Sequence, residues 1–167
     1  MAKASDGKEK RIPDALRNFD QLPDSANVGS IFRNAAAFGA GGVLLQSSCA
    51  DPLYRKAIRT SMAASLSVPY ASADPWPDVL LALRGAGWAT VAMTPMADAP
   101  LLKEVGAQVA GRPVALVLGH EGEGLTREAI DACSHRARIQ VEAAVDSLNV
   151  ATAAGIALYE MGSGVIS

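Results

Sequence analysis

Three short segments carry the residues with a capacity for chemistry. The first is Asp146-Ser147-Leu148-Asn149-Val150-Ala151-Thr152-Ala153-Ala154-Gly155, which sets three polar side chains at the mouth of an otherwise apolar helix. A helix start presents unsatisfied N–H groups, and short hydrogen-bonding side chains beside them suit a polar ligand or a second side chain. Taken singly, Ser147 reads as an N-cap and Asn149 as a surface residue. The second segment is Leu116-Val117-Leu118-Gly119-His120-Glu121-Gly122-Glu123-Gly124-Leu125, an apolar run that ends in a glycine-rich turn. Glycines there let backbone approach a ligand without interference from a Cβ. The third, Asn27-Val28-Gly29-Ser30-Ile31-Phe32-Arg33-Asn34-Ala35-Ala36-Ala37-Phe38-Gly39, is a helical pattern stopped by glycine.

The elements that must position these segments alternate between strand and helix. Ile31, Ala35 and Phe38 recur at helical spacing, so Asn27–Phe38 is predicted as a helix. A strand over Val43–Gln46, a helix over Leu53–Ala64 with Arg55, Lys56 and Arg59 on its wet side, and a brief strand over Val68–Tyr70 follow. Trp76–Arg84 is predicted helical and Trp88–Met93 extended. Val114–Leu118, a continuous apolar run, is the clearest strand. Thr126 caps a helix to Ala132, Arg138–Val141 makes a last strand, and Leu148–Met161 the final helix. Alternation of this kind argues for a mostly parallel α/β sheet with helices on both faces. The polar Arg17-Asn18-Phe19-Asp20-Gln21 gives no strand signal. Residues 1–22 are therefore expected to be a charged tail or the remnant of another domain, and residues 23–167 a single domain.

Composition narrows the function. Half of the 167 residues are hydrophobic and 19% are charged, which excludes global disorder. A net charge of −2 is not the footprint of a protein that grips nucleic acid by charge alone. The basic clusters, at Lys8, Lys10 and Arg11, at Arg55, Lys56 and Arg59, and at Arg136 and Arg138, each read singly as a solvated face. Cys49 and Cys133 form no C-x-x-C pair, so no metal site or dithiol chemistry is indicated, and free thiols fit a reducing cytoplasm. No apolar run approaches the ~18–20 residues of a membrane span, and a cytoplasmic protein is expected. G-x-G-x-x-G after a strand and G-x-x-x-x-G-K-[ST] are both absent, which removes the ordinary NAD and ATP sites. What remains is a site built from strand-end loops.

In their order and content, the three segments resemble the motifs of the SpoU (TrmH-like) branch of the SPOUT RNA methyltransferases, over roughly Asn27 to Met161. The resemblance implies a C-terminal deep trefoil knot, S-adenosylmethionine as cofactor, tRNA or rRNA as substrate, and a homodimer with no metal. Carried over by motif, the cofactor contacts fall on Leu118 and Gly119, on Ile139 and on Leu148, with Met93 and Thr94 lining the same pocket. Arg33 falls at the centre of the transfer, as the group that takes the ribose 2′-hydroxyl proton or that holds a phosphate and stabilises the developing alkoxide. A guanidinium resists deprotonation, which weighs against the first role. Asn27, Glu121, Ser147 and Asn149 complete the constellation. His120 is expected as a loop residue and His135 as a surface residue near a helix end.

Two stretches depart from the pattern. Leu22-Pro23-Asp24-Ser25-Ala26-Asn27 stands where relatives carry an apolar strand and Asp-Pro-x-Asn, and Ile139-Gln140-Val141 stands where they carry Ile-Pro-Met. The short stretch ahead of Asn27 suggests a minimal catalytic domain, a natural truncation or a fragment. Relatives pack the helix after the third motif at a dimer interface; Ala151, Ala154, Gly155 and Leu158 form a small-residue face that suits such an interface or a monomer core equally. The implied function is 2′-O-ribose methylation. The competing readings are a non-catalytic RNA-binding or assembly protein with this fold, and a SPOUT enzyme that methylates a base.

Overall fold

The computed structural model describes residues 15–19, 24–120, 124–142 and 147–162. In chain order they form β1 (Ala15–Phe19), α1 (Ser25–Ala37), β2 (Val43–Leu45), α2 (Arg55–Thr60), a 3-10 turn (Ala64–Leu66), β3 (Tyr70–Ser72), α3 (Asp78–Gly85), β4 (Ala89–Met93), α4 (Leu102–Val109), β5 (Val114–Leu118), α5 (Arg127–Ala132), β6 (His135–Ala137) and α6 (Val150–Gly162). The strands form one sheet in the order β3-β2-β1-β5-β4-β6, and every pairing is parallel.

Why the sheet is covered on both sides is visible in β5, whose five residues are all buried. Side chains alternate along a strand. Val114, Leu116 and Leu118 enter a large core with Ile31 and Phe32 of α1, Val105 and Val109 of α4, and Ala154, Ala157 and Leu158 of α6. Val117 enters a smaller one with Leu80 of α3 and Ala129 and Ala132 of α5. Helices α1, α4 and α6 thus cover one face, and α3 and α5 the other. Ala151, Ala154 and Leu158 are buried within the chain, while Thr152, Ile156 and Tyr159 face outward. Among the described residues no helix is long and apolar enough to cross a membrane.

Five elements differ from the sequence prediction, the smallest departure being the brief strand expected over Val68–Tyr70, which lies at Tyr70–Ser72. Ala15–Phe19, inside the stretch expected as a tail, is a central strand paired with both β2 and β5; the sheet therefore begins ahead of residue 23. Its hydrogen bonds are made by backbone, which a scan for apolar side chains does not see. Leu102–Val109 is a helix with no counterpart in the prediction, although Leu102, Val105 and Val109 follow helical spacing and are buried. The helix expected over Leu53–Ala64 spans only Arg55–Thr60, because Met62 and Ala63 take left-handed φ values of 53° and 66°. The strand expected at Arg138–Val141 lies at His135–Ala137, so His135 opens a strand and does not end a helix.

Ser134 sets that last register. Its N–H donates to Thr90 Oγ1 at 2.8 Å, its Oγ bonds the Thr90 backbone, and Thr90 is fully buried. Pairing of β6 with β4 then starts at the next residue. Ser134 Oγ also lies 2.9 Å from His135 Nδ1, and partial burial together with Arg112 and Arg84 holds the imidazole below its ordinary value of 6.5. The unfolded chain therefore takes up this proton more readily than the folded one. The contribution of His135 to stability is complete above pH 6.5 and is lost as pH falls through the window down to the lowered folded value. Denaturant melts of His135→Gln are expected to show a flatter stability profile below pH 6.5 than those of the parent. Burial pushes the neighbouring Cys133 thiol up to about 12, which leaves it inert at neutral pH.

Candidate active site

The strand ends of β4 and β5, the segment after β6 and the approach to α6 enclose a cleft of about 470 Å³. Its walls include Met93, Thr94, Leu118, Gly119, Ile139 and Leu148, the six residues expected at a cofactor, together with Ser147. They come from four separate stretches of chain, and only the parallel topology unites them. A cleft beyond the carboxyl ends of parallel strands is where open α/β sheets bind ligands.

Each wall has a local cause. At the end of β5, a Cβ on Gly119 would run into the backbone of Gly124 and Leu125, so only glycine permits this approach. The loop closes there through Gly124 N–H donating to the His120 carbonyl at 3.0 Å, and His120 also lines the cleft. The end of β4 is tied to β6 by Thr94 N–H on the Ala137 carbonyl at 3.0 Å. Arg138 fixes the stretch that presents Ile139. Its N–H donates to the Pro100 carbonyl, its carbonyl accepts from Leu102 N–H, and its guanidinium Nε donates to the Ala99 carbonyl at 3.0 Å.

The start of α6 is built by Asn149 and not by Ser147. Asn149 Oδ1 accepts from Ala151 N–H at 3.0 Å and Thr152 N–H at 3.2 Å, which is the capping role. Its Nδ2 donates to Asn27 Oδ1 at 3.0 Å, which joins the first turns of α6 and α1. A second tie follows one face further along α1, where Asn34 Nδ2 donates to the Ala151 carbonyl at 2.7 Å. Ser147 is left exposed at the cleft rim. Asn149→Ala removes both cap bonds and the partner of Asn27, and is expected to cost about 1–2 kcal/mol in a denaturant melt. Asn149→Asp keeps the acceptor but not the donor and should fall between the two.

Arg33 is exposed on the outer ridge of α1 and is not among the residues that line the cleft. Glu121 lies outside the described residues, as do Asp146 and Gly122. Asn34 and Arg138 are the positioning residues that sequence reasoning missed. Asn34 sits seven residues after Asn27, on the same helical stripe, and that spacing was the available signal. Arg138 carries none, because its work is done on backbone carbonyls. Among the described residues no group of three or more His, Cys, Asp or Glu is placed to hold a metal ion.

Residues 18–159 match the profile of the SpoU rRNA Methylase family. The chain is 48% identical over 137 residues to an uncharacterized tRNA/rRNA methyltransferase of Mycobacterium bovis, covering 82% of this chain and 48% of that protein. It is 36% identical over 141 residues to an uncharacterized tRNA/rRNA methyltransferase of Synechocystis, covering 84% of this chain and 50% of the relative. It thus spans about half the length of these curated relatives. Among solved structures, the AdoMet-bound rRNA methyltransferase from Sinorhizobium meliloti superposes with a TM-score of 0.85 at 30% identity, over 95% of this chain and 59% of that one. The SpoU methyltransferase AviRb from Streptomyces viridochromogenes, in complex with AdoMet, does so with a TM-score of 0.78 at 30% identity, over 93% and 60%. With that match over most of its length, the chain belongs to the SpoU rRNA Methylase family.

Proposed function

We propose that the chain is the methyl-transfer unit of an RNA methyltransferase that uses S-adenosylmethionine to methylate a ribose 2′-hydroxyl of tRNA or rRNA in the cytoplasm. The observation that carries this reading is the convergence of Met93, Thr94, Leu118, Gly119, Ile139 and Leu148 on one cleft. Two solved relatives are AdoMet complexes, and a further one, an RNA 2′-O ribose methyltransferase, matches with a TM-score of 0.77 at 32% identity.

The cleft fits such a cofactor on its own chemistry. Its volume lies in the ordinary range for small-molecule sites, about 300–1,000 Å³. Apolar walls from Leu118, Ile139 and Leu148 suit an adenine ring, and the polar rim of Thr94, His120, Arg138 and Ser147 suits an amino-acid end. When bound, the cofactor supplies a methyl group already activated on a sulfonium, so the chain has only to position the reactants and handle one proton. Ser147 at the rim can donate to the ribose, Asn27 and Asn149 hold the two helix starts in register, and Arg33, which does not line its own chain's cleft, can neutralise the charge that develops on the attacking oxygen when a second copy brings it there. Glu121 is the residue proposed to orient that guanidinium. The trefoil knot and the homodimer belong to the same proposal. With the small residues of α6 buried against α1, the face left for a second copy is Ile156, Tyr159 and Phe38.

Calorimetric titration with S-adenosylhomocysteine tests the pocket without an RNA. Micromolar binding at about one site per chain is expected; a folded chain that takes up none favours a non-catalytic RNA-binding protein. Methylation of unmodified tRNA and rRNA transcripts, followed by nucleoside analysis, tests the chemistry. A 2′-O-methyl nucleoside is expected, and a methylated base in its place supports the base-methylating alternative.

A further inference from the structure

We infer that the outer face of α2 is a grip for a single-stranded RNA segment, an assignment that rests on the RNA reading above but concerns a surface away from the cleft. Arg55 and Arg59 stand one turn apart on α2 and are exposed. Tyr54 is 61% exposed at the helix start, and Met62 and Leu66 are exposed in the turn beyond its end. Lys56 stands on the flank, and Lys56, Arg59 and Thr60 line a shallow pocket.

The face is backed by α1. A Cβ on Gly29 would stand 2.5 Å from the Ala57 carbonyl oxygen and 2.9 Å from Thr60 Cβ, so α2 packs on α1 at backbone distance with Ala57 buried and Arg55 and Arg59 exposed. Arg33 lies one helical turn beyond Gly29 on α1 and is exposed. In a chain of net charge −2, four cations therefore gather around this helix pair. Among the described residues, Asp24 and Asp51 are engaged locally: Asp24 Oδ1 accepts from Ala26 N–H and pairs with Lys56 at 3.1 Å, and Asp51 Oδ1 accepts from Leu53 N–H at 2.8 Å. Arg55 and Arg59 form no ion pair among the described residues.

Cations interleaved with an exposed aromatic ring are what an unpaired strand requires. Phosphates meet guanidinium groups, and a splayed base stacks on the ring. A duplex keeps its bases stacked and has no use for Tyr54. A membrane-surface helix lays down a continuous apolar face, which the six residues of α2, Arg55-Lys56-Ala57-Ile58-Arg59-Thr60, do not present. The grip would lead a strand toward Arg33, which explains how an acidic chain holds a polyanion.

The test is fluorescence anisotropy with the 167-residue chain and a labelled oligouridylate of about 15 nucleotides, at several salt concentrations. The double variant R55A/R59A is expected to weaken binding about 10-fold or more and to reduce the log–log salt slope by about 1.4, for two phosphate contacts. Tyr54→Ala is expected to weaken binding about 5-fold or more with no change of slope. Lys103→Ala, exposed on α4, should leave affinity unchanged. Equal affinity of parent, R55A/R59A and Tyr54→Ala overturns the assignment. So does binding to duplex RNA or to phosphatidylserine vesicles without binding to the single strand. S-adenosylhomocysteine titration of the same samples separates the two readings. Normal cofactor binding with no RNA binding sinks the grip alone; RNA binding through α2 with no cofactor binding sinks methyl transfer and leaves the grip standing.

Discussion

Gly119→Ala is expected to abolish measurable S-adenosylhomocysteine binding and to lower the melting temperature, although it adds one methyl group. The added carbon has nowhere to go. It meets the backbone of Gly124 and Leu125, not the tip of a flexible side chain, so the two limbs of the loop must part. Parting them breaks the His120–Gly124 bridge that shapes one wall of the cleft. Overpacking of this sort costs about 1–3 kcal/mol. Loss of the wall should weaken cofactor binding by about 100-fold or more, at least about 2.7 kcal/mol, which takes a micromolar site beyond calorimetric detection. The control is Gly85→Ala at the end of α3, where a Cβ meets no neighbouring atom within 4 Å. The same substitution there removes the conformational cost of glycine in a helix and should be neutral or stabilising by up to about 1 kcal/mol. Both are measured by calorimetry and thermal melts. A Gly119→Ala protein that melts and binds like the parent would show that the close approach is dispensable.

The contrast between those two glycines also marks what a sequence can carry. Val114–Leu118 was legible because a strand buried on both faces is a bare apolar run, and the glycine that ends it marks the cleft. The helix Ser25–Ala37 was legible to within two residues at its start and one at its end, because its buried positions repeat at helical spacing. β1 was not, since a central parallel strand is held by backbone bonds to both neighbours, and Arg17, Asn18 and Asp20 masked the rest. The strand after α5 was misplaced by three residues for a related reason. Its start is set by Ser134 and Thr90, a pair separated by 44 residues, and no local pattern encodes their meeting. At the cleft, residue types at motif positions located the lining, whereas the clamp of Arg138 on backbone carbonyls 38 and 39 residues away had no sequence signature. Polar residues that act through side chains are readable; those that act on distant backbone become visible only when the chain is folded.

Arg33→Ala is expected to reduce methyl transfer on the order of 10²–10³-fold, the range for loss of one donor that stabilises developing charge. Stability and S-adenosylhomocysteine affinity should be unchanged, since Arg33 is exposed and is not among the residues lining the cleft. That separation of readouts distinguishes Arg33 from Gly119, whose loss removes cofactor binding itself. The alanine variant does not tell proton acceptor from charge stabiliser, and Arg33→Lys does. Guanidinium groups release a proton only above about 12 and ammonium groups near about 10.4. If residue 33 takes the 2′-hydroxyl proton, the lysine variant should move the alkaline limb of the pH–rate profile down by about two units and gain activity there. If it stabilises the alkoxide and holds a phosphate, lysine keeps the charge but loses the two-pronged geometry, and the rate falls at every pH with the limb in place. The second outcome is the one expected. Arg33 is exposed on the outer ridge of α1, and its position beside the basic face of α2 suits the two-pronged handling of phosphate.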